Sequence, residues 1–138
     1  MSAPARILIV DDNRLVRRLV ELALEEAGFT PVPAESGEEA FRLAQRDPPD
    51  AAVIDQEMPG MKGADLVRAL RLSADPRVSA VPAVGVSAYP AAEAELRAAG
   101  ACDFVRKPID EEALLDAVNL ALTDARHRAW EGASPTAA

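Results

Sequence analysis

The sequence predicts an α/β fold: a doubly wound, five-stranded parallel sheet in strand order 2-1-3-4-5, with helices on both faces. Three observations lead there. Short apolar runs alternate five times with stretches of helical spacing, and successive β-α units imply parallel strands joined by right-handed crossovers. The second run contains Pro31 and Pro33. Proline cannot donate to a sheet ladder, so this strand belongs at an edge, with both proline nitrogens facing outward and Val32 paired inward. Finally, four of the five runs end in polar or charged residues: Asp11-Asp12, Asp55, Ser87 and Lys107. Open α/β sheets bind ligands at these carboxyl ends.

Each element has its own signal. Ala5 to Val10 is an apolar strand that stops at the two acids. Asn13 to Ala27 has Leu15, Leu19 and Leu22 beside Val16, Val20 and Ala23 at helical spacing, and Gly28 stands where a C-terminal cap belongs. Thr30 to Ala34 is the second strand. Ser36 and Glu39 form a capping-box pattern that opens a helix carrying Ala40, Phe41 and Ala44, and Asp47-Pro-Pro-Asp50 ends it. Ala51 to Ile54 is the third strand. A loop from Gln56 to Gly63 leads to a helix from about Asp65 to Ser73. The fourth run, Ala80 to Val86, is interrupted and loosened by Gly85. Pro90 to Ala99 reads as an Ala-rich helix capped by Gly100. Cys102 to Arg106 is the fifth strand, and Asp110 caps a last helix. Good helix formers persist from Glu111 to Glu131, so Arg126 to Trp130 is expected to protrude beyond the sheet, with Arg126, His127 and Arg128 favouring its C-terminus.

Composition bounds the function. At 138 residues, 49% hydrophobic and 28% charged, the chain suits one ordinary domain. No apolar stretch approaches the roughly 18 residues of a membrane span, and the N-terminus lacks a signal-peptide core. The lone Cys102 excludes an internal disulfide and suits a reducing compartment, so a cytoplasmic protein is expected, with Cys102 as a small buried residue. The net charge of −8 argues against direct binding of nucleic acid, which rests on basic surface. Arg outnumbers Lys by 13 to 2, so each Lys draws attention.

Asp11, Asp12 and Asp55 would repel one another on one loop cluster unless a divalent cation sits among them. Oxygen ligands alone suit Mg²⁺, Mn²⁺ or Ca²⁺ rather than zinc. A doubly charged cation together with Lys107 would balance the three carboxylates and admit an anionic phosphoryl group. Ser87 adds a hydroxyl donor, and a carboxylate can act as nucleophile to form an aspartyl phosphate.

These pieces, taken in order and spacing, resemble the receiver domain of two-component response regulators, a CheY-like, flavodoxin-like (βα)5 family. They are Ile7-Leu-Ile-Val-Asp-Asp-Asn13, Val53-Ile-Asp-Gln-Glu-Met-Pro-Gly-Met61, Val86-Ser-Ala88 and Gly100-Ala-Cys-Asp-Phe-Val-Arg-Lys-Pro108. The resemblance implies that Asp55 accepts a phosphoryl group from the phosphohistidine of a sensor histidine kinase or phosphotransfer protein. It implies Mg²⁺ held by Asp12, Asp55 and the main-chain carbonyl of Glu57, with Asp11 acting mainly through water. Ser87 and Lys107 would hold phosphoryl oxygens. Ser87 and Phe104 would form a switch, Phe104 turning inward as Ser87 moves and reshaping the face formed by the fourth predicted helix, the fifth strand and the last helix. Homodimerisation through that face is a further implication. Glu57 and Tyr89 occupy positions that affect the phosphoryl lifetime in the family. Lys62 stands where many relatives carry Asp, and Phe104 lacks the hydroxyl of the frequent Tyr, so any switch here works by packing alone.

The expected organisation is a receiver domain over residues 1–124 and a helical extension and tail over 125–138, with no output domain. The expected output is contact with a downstream protein, without membrane or direct nucleic-acid partners. On this reading the chain is no enzyme beyond catalysing its own phosphorylation and dephosphorylation. Two alternatives compete. A phosphorylation-independent scaffold would not need the intact Asp11, Asp12, Asp55, Ser87 and Lys107 set. An aspartyl-nucleophile phosphatase resembling haloacid dehalogenases would want Asp-x-Asp after the first strand, and Asp11-Asp12-Asn13 fails that spacing.

Overall fold

The computed structural model describes the backbone of residues 3–132 and the side chains of residues 3–125. The elements run β1 (Arg6–Val10), α1 (Arg14–Glu26), β2 (Thr30–Ala34), α2 (Gly37–Arg46), β3 (Ala51–Asp55), α3 (Gly63–Arg71), α4 (Pro76–Ser79), β4 (Ala83–Ser87), α5 (Ala92–Ala99), β5 (Asp103–Arg106) and α6 (Glu111–Gly132). The sheet is parallel throughout, in the order β2-β1-β3-β4-β5.

The edge position of β2 follows its prolines. Val32 stands opposite Leu8, and the Thr30 N–H donates to the Ala5 carbonyl at 2.9 Å. Strand residues alternate, so the even-numbered N–H groups face β1 and the nitrogens of Pro31 and Pro33 face away.

Alternation along β1 also divides the core. Leu8 and Val10 pack into a cluster with Leu66, Val67 and Leu70 of α3 and Leu96 of α5. Ile7 and Ile9 face the other way, toward Val20 and Leu24 of α1 and Leu114 and Val118 of α6. Strand β3 is buried along its whole length, as expected for a strand covered by helices on both faces.

The caps follow the sequence. Asn13 Oδ1 accepts from the Val16 N–H, Ser36 Oγ from the Glu39 N–H, and Asp110 Oδ2 from the Ala113 N–H. Gly28 and Gly100 take positive φ beyond the ends of α1 and α5.

Several expectations need correction. The segment before β4 contains a short helix, α4, capped by the Asp75 side chain with Pro76 in its first turn. Ala80 closes that helix rather than opening the strand, so β4 starts at Ala83. Helix α3 begins two residues early, at Gly63, and α5 begins at Ala92 rather than Pro90. Cys102 is half-buried rather than buried, lying at the margin of the α1/α6 cluster. The long last helix continues through Gly132 as expected, while the side chains of Arg126, His127, Arg128 and Trp130, and hence their exposure, lie outside the described residues.

Gly85 does not loosen β4. A Cβ there would lie 2.6 Å from Leu96 Cδ1, so the glycine is the space into which α5 presses its leucine. Gly85→Ala is expected to lower stability by about 1–2 kcal/mol through overpacking. Leu96→Ala alone should cost about 3 kcal/mol, and the pair should cost less than the sum. Additive losses in urea unfolding would contradict this packing.

Candidate functional site

The end of β1 delivers Asp11 and Asp12, and local bonds fix the loop. Asp11 Oδ1 accepts from the Asn13 N–H at 2.9 Å, and Arg17 of α1 donates to the Asp11 carbonyl at 2.8 Å. Asp55 ends β3 next door. Its successor Gln56 bolts α3 in place: the Gly63 N–H donates to the Gln56 main-chain carbonyl at 3.1 Å, and the Ala64 N–H to Gln56 Oε1 at 2.8 Å. These bonds satisfy the first amides of α3. They also bring Gly63 against the Asp55 carbonyl, so closely that a Cβ would collide with it.

Asp11, Asp12 and Asp55 each offer a carboxylate oxygen, and these atoms lie within 4.8 Å of one another. Lys107, at the end of β5, places Nζ 3.0 Å from Asp55 Oδ1 and 3.4 Å from Asp11 Oδ2. The contact with Asp55 is short but off hydrogen-bonding angle. Asp55 Oδ1 is therefore a buried oxygen with an ion pair and no formed hydrogen bond. Burial pushes the Asp55 carboxyl up to about 6; Lys107 offsets part of this, while the charges of Asp11 and Glu57 add to it. Burial pulls the Lys107 ammonium down, but attraction to Asp55 and Asp11 outweighs it and holds Lys107 above its ordinary range.

This arrangement can accept a metal. A cluster of hard carboxylate oxygens, one of them lacking a hydrogen bond, fits a divalent cation of the magnesium or calcium kind. Lys107 leaves a positive group beside the same oxygens.

Ser87 ends β4, where it is fully buried. Its Oγ–H is directed between the two carboxylate oxygens of Glu57, at 2.9 and 2.8 Å, and the Tyr89 N–H donates to Oγ at 3.0 Å. Phe104 lies opposite Gly85 on β5 and packs, partly buried, against the α3/α5 cluster. Tyr89 is exposed. Lys62 sits exposed at the start of α3, where its N–H donates to Asp65 Oδ2.

The structure thus brings together Asp11, Asp12, Asp55 and Lys107, and pairs Ser87 with the side chain of Glu57. Sequence reasoning missed three contributors. Gln56 and Gly63 seat α3 on the chain beside Asp55, and their only sequence signal was a glycine where the loop after the acid gives way to helix. Glu57 drew notice through its main-chain carbonyl and its family position, but nothing in the sequence signalled that its carboxylate pairs with Ser87. A cleft of about 610 Å³ opens beside Lys107 between α1 and the start of α6, lined by Val16, Leu19, Ile109 and Leu114.

Comparisons with known proteins show what the chain as a whole is similar to. The family model described as response regulator receiver domain matches residues 7–119. Protein PilH of Pseudomonas aeruginosa is 35% identical over 120 residues, covering 86% of this chain and 98% of that protein. The CAI-1 autoinducer sensor kinase/phosphatase CqsS of Vibrio cholerae is 32% identical over 115 residues, and there the match spans 82% of this chain but 17% of the relative. Among solved structures, chemotaxis protein CheY4 of Vibrio cholerae superposes with a TM-score of 0.80 at 31% identity, covering 87% of this chain and all of that one.

Proposed function

The chain belongs to the response regulator receiver domain family of two-component signalling, and from that premise we propose that it is a phosphorylation-controlled switch with Asp55 as its phosphoacceptor. The observation that carries this reading is Asp55 itself: a buried carboxylate with an oxygen lacking a hydrogen bond, facing Lys107 and flanked by two further acids.

In the proposed reaction an Asp55 oxygen attacks the phosphorus of a partner's phosphohistidine. The O–P bond forms as the P–N bond breaks, and the imidazole nitrogen leaves with the electron pair. Lys107 neutralises developing charge on the phosphoryl oxygens, and Ser87 donates its hydroxyl to one of them. Asp12, Asp55 and the Glu57 main-chain carbonyl would hold Mg²⁺ directly, with Asp11 acting through water. Bound there, the ion would supply charge neutralisation for the transferred group. Movement of Ser87 toward Asp55 would make room for Phe104 to turn inward and would bias the α5-β5-α6 face between two states.

A histidine kinase or phosphotransfer protein is the proposed donor. The cleft beside Lys107 suits it, because α1 presents Leu15, Leu19 and Leu22 exposed along one side of the approach to the site. Output through a downstream protein, without nucleic acid or membrane contact, completes the proposal. Among the described residues no helix is long and apolar enough to cross a membrane.

The test is incubation with acetyl phosphate and Mg²⁺, followed by intact mass. A phosphoryl adduct that disappears in Asp55→Asn and in the presence of a chelator is the expected result. Absence of any adduct in the parent protein would move the chain to the scaffold reading.

A further inference from the structure

We propose that the side chain of Glu57 is a built-in competitor for the phosphoryl group: in the resting protein its carboxylate occupies the Ser87 hydroxyl that the phosphoryl group needs. The proposal rests on the receiver reading above and adds a regulatory element to that site.

A serine hydroxyl has one proton to donate. Here that proton lies between Glu57 Oε1 and Oε2, at 2.9 and 2.8 Å. The Tyr89 N–H occupies an acceptor site on the same oxygen at 3.0 Å. Ser87 is fully buried, so water offers the hydroxyl little alternative. The donor cannot serve a second anion until Glu57 lets go. Glu57 also acts on Asp55 through space, its charge adding modestly to the burial that raises the Asp55 carboxyl above its ordinary value. The carboxylate therefore stands near enough to oppose an arriving phosphoryl anion as well as to hold its hydrogen-bond donor.

Glu57 is in this sense a positioning residue that acts through Ser87. It ties the β3–α3 loop to the end of β4 and holds Ser87 in its resting place. Phosphorylation must exchange one anion for another on the same hydroxyl. The threshold for switching is then set by how firmly the internal carboxylate holds on. Hydrogen bonds to charged groups are stronger than neutral ones, so loss of this one should be readily measured.

Beryllofluoride with Mg²⁺ is the probe, its binding followed by calorimetry and by amide resonances. Glu57→Ala should bind about tenfold more tightly than the parent. Glu57→Gln, which keeps a neutral acceptor for the hydroxyl, should lie between the two. In a Ser87→Ala background the Glu57→Ala gain should shrink to less than about twofold, because the contact it relieves is gone. In the free protein Glu57→Ala should also speed hydrogen exchange at the Tyr89 amide severalfold, since Ser87 Oγ loses its anchor.

Several results would overturn the proposal. Equal gains with and without the Ser87→Ala substitution, or Glu57→Gln matching Glu57→Ala, would assign the effect to charge repulsion alone. Unchanged Tyr89 exchange would show that Ser87 is not held by Glu57, and this measurement stands even where Ser87→Ala binds too weakly to titrate. Failure of the parent protein to bind beryllofluoride at all would instead strike at the receiver reading.

Discussion

Asp55→Asn is expected to raise the stability of the protein when no divalent cation is present, and to abolish its stabilisation by magnesium. Asp55 has a native carboxyl pushed from 3.8 to about 6, so the folded state binds its proton more tightly than the unfolded state does. Between those two values the native protein carries more protons than the unfolded chain. Stability therefore falls as pH rises through that window, and the deficit is complete above about 6. Asp55 is 2% exposed, but the loop cluster above it is open to water. With screening allowed for, the deficit is about 2 kcal/mol, or roughly 6 °C in melting temperature. Asn removes the charge and hence this part of the pH dependence. The order reverses with metal. Cation at about one hundred times its dissociation constant stabilises the parent by about 2.7 kcal/mol, and the variant gains little. Calorimetric melts across the acid range, with magnesium or with chelator, give all four curves. Parallel pH profiles for the two proteins would contradict the burial of a costly charge at this position.

Gly63→Ala is the second large effect. An added Cβ would collide with the Asp55 carbonyl oxygen and sit 2.9 Å from Gln56 Cα and 3.0 Å from the Asp55 carbonyl carbon. All three are backbone atoms, so no side chain can rotate aside. Helix α3 must lift from Gln56, weakening the bonds from the Gly63 and Ala64 amides. A loss of about 3 kcal/mol follows, some 10 °C in melting temperature, and beryllofluoride affinity should fall about tenfold as Asp55 loses its support. Gly60→Ala is the control. Gly60 has φ of 77°, and its added Cβ would meet nothing closer than Glu38 Oε1 at 3.6 Å. That substitution should cost about 1 kcal/mol in backbone strain while leaving affinity largely unchanged. Equal affinity losses in the two variants would mean that Gly63 has no special part in seating Asp55.

The sequence made the sheet legible because its strands announce themselves twice, by apolar runs and by what ends them. Pro31 and Pro33 placed β2 at the edge through backbone chemistry that no tertiary contact can override. Asp11, Asp12, Asp55 and Lys107 could be placed together because parallel topology sends every strand's carboxyl end to the same rim. Distances between side chains are another matter. Gly85 read as a weak point in β4 because a sequence shows a missing side chain but not the leucine that fills the space. Helix α4 is four residues long, too short for any apolar period, although Asp75-Pro76 marks its start. The pairing of Glu57 with Ser87 joins residues 30 positions apart, and neither residue type announces the other. The roles assigned to Asp55, Ser87 and Phe104 came from family resemblance, and the proposed experiments address them.

The prolines of β2 have a consequence for assembly. A sheet can grow by adding strands only where an edge offers donors as well as acceptors, and indefinite growth requires two such edges. Pro31 and Pro33 withdraw donors from the outward side of β2, leaving β5, which among the described residues pairs only with β4, as the receptive side. Strand-to-strand association between copies would therefore be one-ended. It could join two molecules edge to edge and then stop, since each would present a closed border to any third.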